Sequence, residues 1–200
     1  NTLGTGGRAL GEREAVTCAE GQAIKIQATS GGAVKQTYAA IQEPLEEHEI
    51  TVLGQGIDGS RRTLLERFKE SPRTVLLGTT SFWEGVDVVG DALSVLVIAK
   101  LPFSVPTDPI YAARSEQFAD PFGDYSVPQS ILRFKQGFGR LIRTRTDRGI
   151  VFVLDPRLWT RHYGRRFFRS IQRCALSRNP LQTCLEEAET WLQEPAEELP

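Results

Sequence analysis

At 200 residues with a 40% apolar share, the chain has room for one packed α/β domain plus tails, or at most two small domains. Its formal net charge of −1 singles out no partner, and Cys18, Cys174, Cys184, His48 and His162 are too scattered to suggest a zinc site, an iron–sulfur site or a disulfide framework. No apolar run nears the roughly 18 residues of a membrane span, no basic-then-apolar leader opens the chain, and position 1 is not Met, so a soluble intracellular fragment is expected.

Residues 1–20 are Gly-rich without periodicity and read as a linker or lead-in. Residues 23–28 alternate apolar and polar, which predicts a strand buried on one face only, ending at Thr29-Ser30-Gly31-Gly32. A helix is predicted over 33–46, a strand over 50–53, and a helix over 61–70 capped by Ser60, with Leu64, Leu65 and Phe68 on one face. Residues 74–78 and 93–98 are short apolar runs rich in β-branched side chains, of the kind that suits parallel strands covered on both faces. Beyond the proline-rich stretch 102–109, helices are predicted near 109–118 and 129–144. A fifth strand follows over 150–154, then helical patterns near 161–172 and 181–193. Strand–helix alternation of this kind argues for a mostly parallel sheet flanked by helices.

Two segments carry chemistry. Gly78 to Asp87 leaves an apolar strand and concentrates Thr79, Thr80, Ser81, Glu84, Gly85 and Asp87 in one loop. Hydroxyls and backbone N–H groups hold phosphate oxygens, and carboxylates accept from a ribose hydroxyl or steer an arginine. A polar loop with turn glycines and a packing tryptophan is the plainer alternative. Phe82 and Trp83 have the rings to stack on a base, but packing of at least one of them beneath the loop is the favoured expectation. The second segment is the 129–144 helix. With Arg133 set at zero, Gln136, Arg140 and Arg143 fall at about −60°, −20° and −80°. Ile131, Phe134, Phe138, Leu141 and Ile142 fall on the opposite side. Gly137 and Gly139 each weaken this helix by roughly 1 kcal/mol relative to alanine. A purely structural helix gains nothing from them, whereas a helix approached by a phosphate or another backbone does.

Gln136-x-x-Gly139-Arg140-x-x-Arg143 resembles motif VI, and Ser81 to Asp87 resembles motif V, of the C-terminal RecA-like lobe of superfamily 2 helicases of the DinG/XPD branch. Leu101-Pro102-Phe103, Asp108-Pro109, Tyr163-Gly164-Arg165-Arg166 and Gln55 to Gly59 are similar to further stretches of that branch. The resemblance runs from about residue 50 to 173. It implies a three-layer RecA-like domain over 21–178, leaving 179–200 as a terminal helix and acidic tail.

The same resemblance implies roles. Arg140 and Arg143 would be arginine fingers, with Gln136 sensing the γ-phosphate. Glu84, Gly85, Asp87 and Gly139 would adjoin the nucleotide. Thr29, Ser30, Thr79, Thr80 and Ser81 would contact single-stranded DNA. It implies ATP with Mg²⁺, the metal held mainly by an N-terminal helicase lobe, and 5′→3′ movement in the cytoplasm, near the nucleoid in a bacterium. The first-lobe signatures, G-x-x-x-x-G-K-[ST] and D-E-x-H, do not occur in this sequence, nor does the iron–sulfur insertion. The chain by itself is therefore expected not to hydrolyse ATP. The alternative is a nucleic-acid-binding or regulatory module that keeps the fold without turnover.

Charge is uneven along the chain. Between Arg133 and Arg178 arginines abound and the only acids are Asp147 and Asp155, while acids gather at 43–49 and 186–198. This pattern predicts either a phosphate-binding surface, which arginine favours, or basic and acidic helices that pair within the domain.

Overall fold

The computed structural model describes residues 23–71, 73–79, 94–141, 148–171 and 174–193. Thr80, Ser81, Phe82, Trp83, Glu84, Gly85, Asp87 and Arg143 lie outside them, as do the lead-in and the acids beyond residue 193. Arg140 is described only as part of its helix.

The strands are β1 (Ile24–Ala28), β2 (Thr51–Gly54), β3 (Thr74–Thr79), β4 (Val95–Ile98) and β5 (Ile150–Val153). They form one sheet in the order β2-β3-β1-β4-β5, with every adjacent pair parallel. Between β1 and β2 runs α1 (Gly31–Glu46), and between β2 and β3 runs α2 (Arg61–Glu70). After β4 come α3 (Pro109–Ser115) and a π-helical turn (Pro121–Ser126) that continues into α4 (Val127–Leu141). After β5 come α5 (Arg157–Thr160), α6 (Gly164–Ser170) and α7 (Leu181–Gln193).

The register assigns the side chains to two layers. Leu53, Leu76, Lys25, Leu96 and Val151 form one row across the sheet, and Val52, Val75, Ile24, Val95 and Ile150 form the next. Successive residues of a strand point to opposite faces, so these rows belong to opposite sides. On the first side Leu64 and Phe68 of α2 pack with Leu53 and Leu76, joined by Leu141 of α4. Farther along that side, Phe134 of α4 and Phe167 of α6 pack with Leu96. On the second side Val34 of α1 packs with Val52, Val75 and Leu77. The result is a helix–sheet–helix sandwich.

Helix α2 lies where the sequence predicts it. Ser60 accepts the Thr63 N–H at 3.2 Å, and Leu64 and Phe68 are buried. Strand β1 corrects its prediction. Its apolar–polar alternation suggests one wet face, yet β1 is the central strand, paired on both edges. Lys25 is 2% exposed and Gln27 8%. The Lys25 stem lies in a row between Leu76 and Leu96, and its ammonium sits 5.5 Å from the centroid of the Phe68 ring. An aliphatic stem of that length fills a core position, and an aromatic face attracts the charge. Within the range 161–172 expected to be helical lies α6, Gly164–Ser170, and the short helix α5, Arg157–Thr160, precedes it without having been predicted. A Cβ on Gly164 would lie 1.9 Å from the Leu158 carbonyl oxygen, so the chain turns back on itself there with main chain against main chain.

Candidate nucleic-acid and nucleotide site

In an open parallel sheet, ligands collect beyond the carboxyl ends of the strands, at the point where successive connections leave in opposite directions. Here the chain leaves β1 toward β2 and leaves β4 toward β5, so that point lies between β1 and β4. Reading along this edge in sheet order gives Gln55 after β2, Thr79 at the end of β3, Thr29 and Ser30 after β1, Lys100 after β4, and Asp155 after β5.

Thr29 and Ser30 are both exposed. Ser30 caps α1, its hydroxyl oxygen accepting the Ala33 N–H at 3.2 Å. A hydroxyl has one hydrogen and two lone pairs, so the cap leaves Ser30 its hydrogen to donate. Thr79 differs. Its backbone N–H and its hydroxyl both donate to Gln55 Oε1, at 2.8 and 3.0 Å. While that contact holds, the Thr79 hydroxyl has no hydrogen for a phosphate oxygen. Gln55 itself stands on the β2–α2 turn, which Asp58 braces by accepting from the Gly54 N–H at 2.7 Å and the Tyr38 hydroxyl at 3.2 Å. Burial and the adjacent Asp58 carboxylate push the Tyr38 phenol up from its ordinary value.

The β4–β5 end of the edge holds an open depression of about 350 Å³ lined by Ala99, Lys100, Leu154, Asp155, Pro156 and Arg157. Asp155 is its buried centre, 3% exposed. Its carboxylate accepts from the Leu101 N–H at 2.8 Å, the Arg157 N–H at 3.0 Å, Arg157 Nε at 3.0 Å and Arg157 Nη2 at 2.6 Å. Burial alone would raise the Asp155 pKa. The hydrogen bonds from Arg157 and Leu101 outweigh it and hold the carboxyl below its ordinary value. The bond from the Leu101 N–H ties the end of β5 to the end of β4, and Arg157, paired with Asp155, also lies over the Phe103 ring at 5.3 Å. Sequence reading passed over Gln55, Lys100 and Asp155 as site residues. The available signal was positional, since each is a polar residue within two positions of a strand's carboxyl end.

Helix α4 runs back toward the amino ends of the strands. Val127 packs with Ile98 and Leu101 at one end. Leu141 packs with Ala23 at the other, where it also abuts Gly149. The amphipathic wheel is correct in outline. Val127, Ser130, Phe134 and Leu141 are buried, while Leu132, Lys135, Gln136 and Gly139 are exposed. Arg133 is not one of a uniform basic face, because its guanidinium donates to the Ser104 hydroxyl and the Pro102 carbonyl. The two glycines also differ. A Cβ on Gly137 would touch Leu96 at 3.8 Å, an ordinary packing distance, whereas a Cβ on Gly139 would meet nothing within 4 Å among the described residues. Gln136 and Gly139 thus lie away from the carboxyl-edge hydroxyls, on a helix whose other side is sealed into the core.

The five-stranded parallel sheet with helices on both faces is a three-layer RecA-like α/β domain. Residues 14–174 match the helicase C-terminal domain family, and the chain belongs to that family, in its DinG-type branch. It is 46% identical over 138 residues to the ATP-dependent DNA helicase YoaA of Haemophilus influenzae, covering 67% of this chain and 21% of that protein. It is 38% identical over 159 residues to the 3′-5′ exonuclease DinG of Bacillus subtilis, covering 77% of this chain and 17% of that one. The ATP-dependent helicase DinG of Mycobacterium tuberculosis H37Rv is 38% identical over 155 residues, 76% of this chain and 23% of the relative. The chain therefore spans about a fifth of the length of these relatives.

Proposed function

We propose that this chain is the C-terminal motor lobe of an ATP-dependent DNA helicase, active only when a first lobe carrying the P-loop and the Mg²⁺ carboxylates closes on it. The lobe extends over 21–178, with 179–200 as an appended helix and tail. The observation that carries this reading is the open side of α4. Among the described residues nothing faces the Cβ position of Gly139, on a helix that would be more stable with alanine there, and Gln136 is exposed one turn earlier. Both are suited to meet something outside this domain. In the closed enzyme Arg140 and Arg143 neutralise the transferring phosphoryl group, Gln136 reads the γ-phosphate, and Glu84, Gly85, Asp87 and Gly139 line the nucleotide. Guanidinium suits the role because it is permanently charged and forked, and such a finger is worth about 10³–10⁵ in rate in related NTPases. Thr29, Ser30, Thr80 and Ser81 contact single-stranded DNA, and Thr79 does so from the position that Gln55 sets. Translocation runs 5′→3′.

The test is made in the two-lobe enzyme. Arg140→Ala and Arg143→Ala are each expected to cut DNA-stimulated turnover far more than they weaken ATP binding, as for an interaction made mainly in the transition state. Lys135→Ala is the appropriate control, being exposed on the same helix, whereas Arg133 anchors the 102–104 loop. Equal losses in Lys135→Ala and Arg140→Ala would make α4 a diffuse charge and favour a binding module without turnover.

A further inference from the structure

The basic stretch that follows β5 presents a choice between pairing inside the domain and facing outward. Arg157 pairs with Asp155, Arg166 donates to the Gly123 carbonyl at 3.1 Å, and Arg178 lies over the Trp159 ring at 5.0 Å. Arg161, Arg165 and Arg169 are exposed, and no ion pair engages them among the described residues. Among the described residues no glutamate of α7 forms an ion pair with them. Glu187 accepts from Asn179 and Glu186 from Gln182. Among the described residues, internal pairing of basic and acidic helices therefore does not account for these three arginines.

Their placement is fixed from beneath. Phe167, fully buried, stacks edge-on with Phe134 of α4, with ring centroids 5.3 Å apart. Tyr163 packs edge-on with Phe103 at 5.6 Å. With 163 and 167 turned inward, 165 and 169 share the outer side of α6, four residues and about 6 Å apart along its axis. Like charges at that spacing repel and destabilise a helix. Among the described residues no acid pairs with either, and an external anion would relieve the repulsion. The surface starts at the carboxyl end of β5, on the same edge of the sheet as Lys100, Thr29 and Ser30.

We propose that Arg161, Arg165 and Arg169 form a second nucleic-acid contact, binding the phosphates of a single strand that extends past the β1–β4 crevice and over α5 and α6. Arginine matches this ligand through its planar fork, which presents paired donors to phosphate oxygens. The inference rests on the DNA-binding part of the proposed function and extends the strand's path beyond the hydroxyl residues.

The experiment measures anisotropy of a fluorescein-labelled oligothymidylate with the 200-residue chain over a range of salt concentrations. Each phosphate contact on a single strand contributes about 0.7 to the slope of log K against log salt. Arg165→Gln/Arg169→Gln is expected to lower that slope by about 1.4 and to weaken binding at low salt. Arg165→Lys/Arg169→Lys is expected to keep most of the slope, and Arg62→Gln, in an exposed pair on α2, to leave it unchanged. Thermal unfolding followed by circular dichroism verifies that each variant is folded. A double-Gln variant that binds with the parental slope overturns this inference and leaves the proposed function standing. A parental chain that does not bind the oligonucleotide overturns the inference together with its DNA-binding premise. Arginine-dependent binding to phosphatidylserine vesicles without binding to the oligonucleotide assigns the surface to lipid and overturns it as well.

Discussion

Gln55 ties the end of β2 to the end of β3 through a single oxygen, its Oε1 accepting both the N–H and the hydroxyl of Thr79. The bond continues the main-chain ladder by one residue, since the Gln55 N–H donates to the Leu77 carbonyl at 2.9 Å. Thr79 is also the last residue of β3, where the chain enters the segment that resembles motif V. Gln55 therefore fixes the point from which that segment departs.

Replacing Gln55 with leucine withdraws one acceptor from two part-buried donors. The expected cost is about 1–3 kcal/mol, the range for leaving such groups without their partner. Gln55→Glu keeps an acceptor oxygen in place and should lose less. Urea unfolding of the three proteins makes the comparison. A leucine variant as stable as the parent would mean that the Gln55–Thr79 contact contributes nothing.

Asp155 gives a pH prediction. Its folded pKa is held below the ordinary carboxylate value by Arg157 and Leu101, against the opposing effect of burial. A depressed folded pKa means that the group adds stability above its unfolded pKa of about 3.9 and loses it as pH falls through the folded value. Asp155→Asn should thus be destabilised by about 2–3 kcal/mol at neutral pH, the scale of hydrogen bonds to a charged group. The gap between parent and variant should narrow as pH falls below about 4. Denaturant midpoints measured at neutral and acid pH test this, and a gap independent of pH would place the loss in packing rather than charge.

Legibility in the sequence followed the locality of the cause. Helix α2 was readable because Ser60, Leu64 and Phe68 act within one or two turns. Strands β3 and β4 were readable because burial on both faces selects continuous apolar runs. Strand β1 misled because Lys25 is apolar along its stem, and its burial depends on Leu76, Leu96 and Phe68, none of which is near in sequence. The motif VI helix showed its amphipathic face from periodicity alone. The engagement of Arg133 by Ser104 is a contact 29 residues away and left no local trace. Asp155 was likewise hidden, because one of its partners is the Leu101 N–H, 54 residues distant.

Gly164 tests the reading of the α5–α6 turn. A Cβ there would lie 1.9 Å from the main-chain oxygen of Leu158, a group that cannot rotate away as a flexible side chain does. Gly164→Ala should cost at least the upper part of the roughly 1–3 kcal/mol range for overpacking. Gly32→Ala, whose Cβ would meet only the Ser30 Oγ at 3.7 Å, should be tolerated. Thermal melts of both variants provide the test, and a stable Gly164→Ala protein would show that this turn opens readily.

Gly139 separates stability from function. Apart from the helix's own backbone, no atom of the described residues lies within 4 Å of the position its Cβ would take, and the residue is within α4. Alanine there should raise the stability of the 200-residue chain by up to about 1 kcal/mol through helix propensity. If the glycine is present so that nucleotide or the first lobe can come close, the same substitution should lower DNA-stimulated ATP turnover in the two-lobe enzyme. Gly137→Ala is the matched comparison, since its Cβ would meet Leu96 within the domain at 3.8 Å and not an outside ligand. Gain of stability with loss of turnover at 139 alone would mark Gly139 as a place of approach. Gain of stability with turnover intact would mean that nothing in the closed enzyme comes near it, and the nucleotide-facing assignment of α4 would then have to be abandoned.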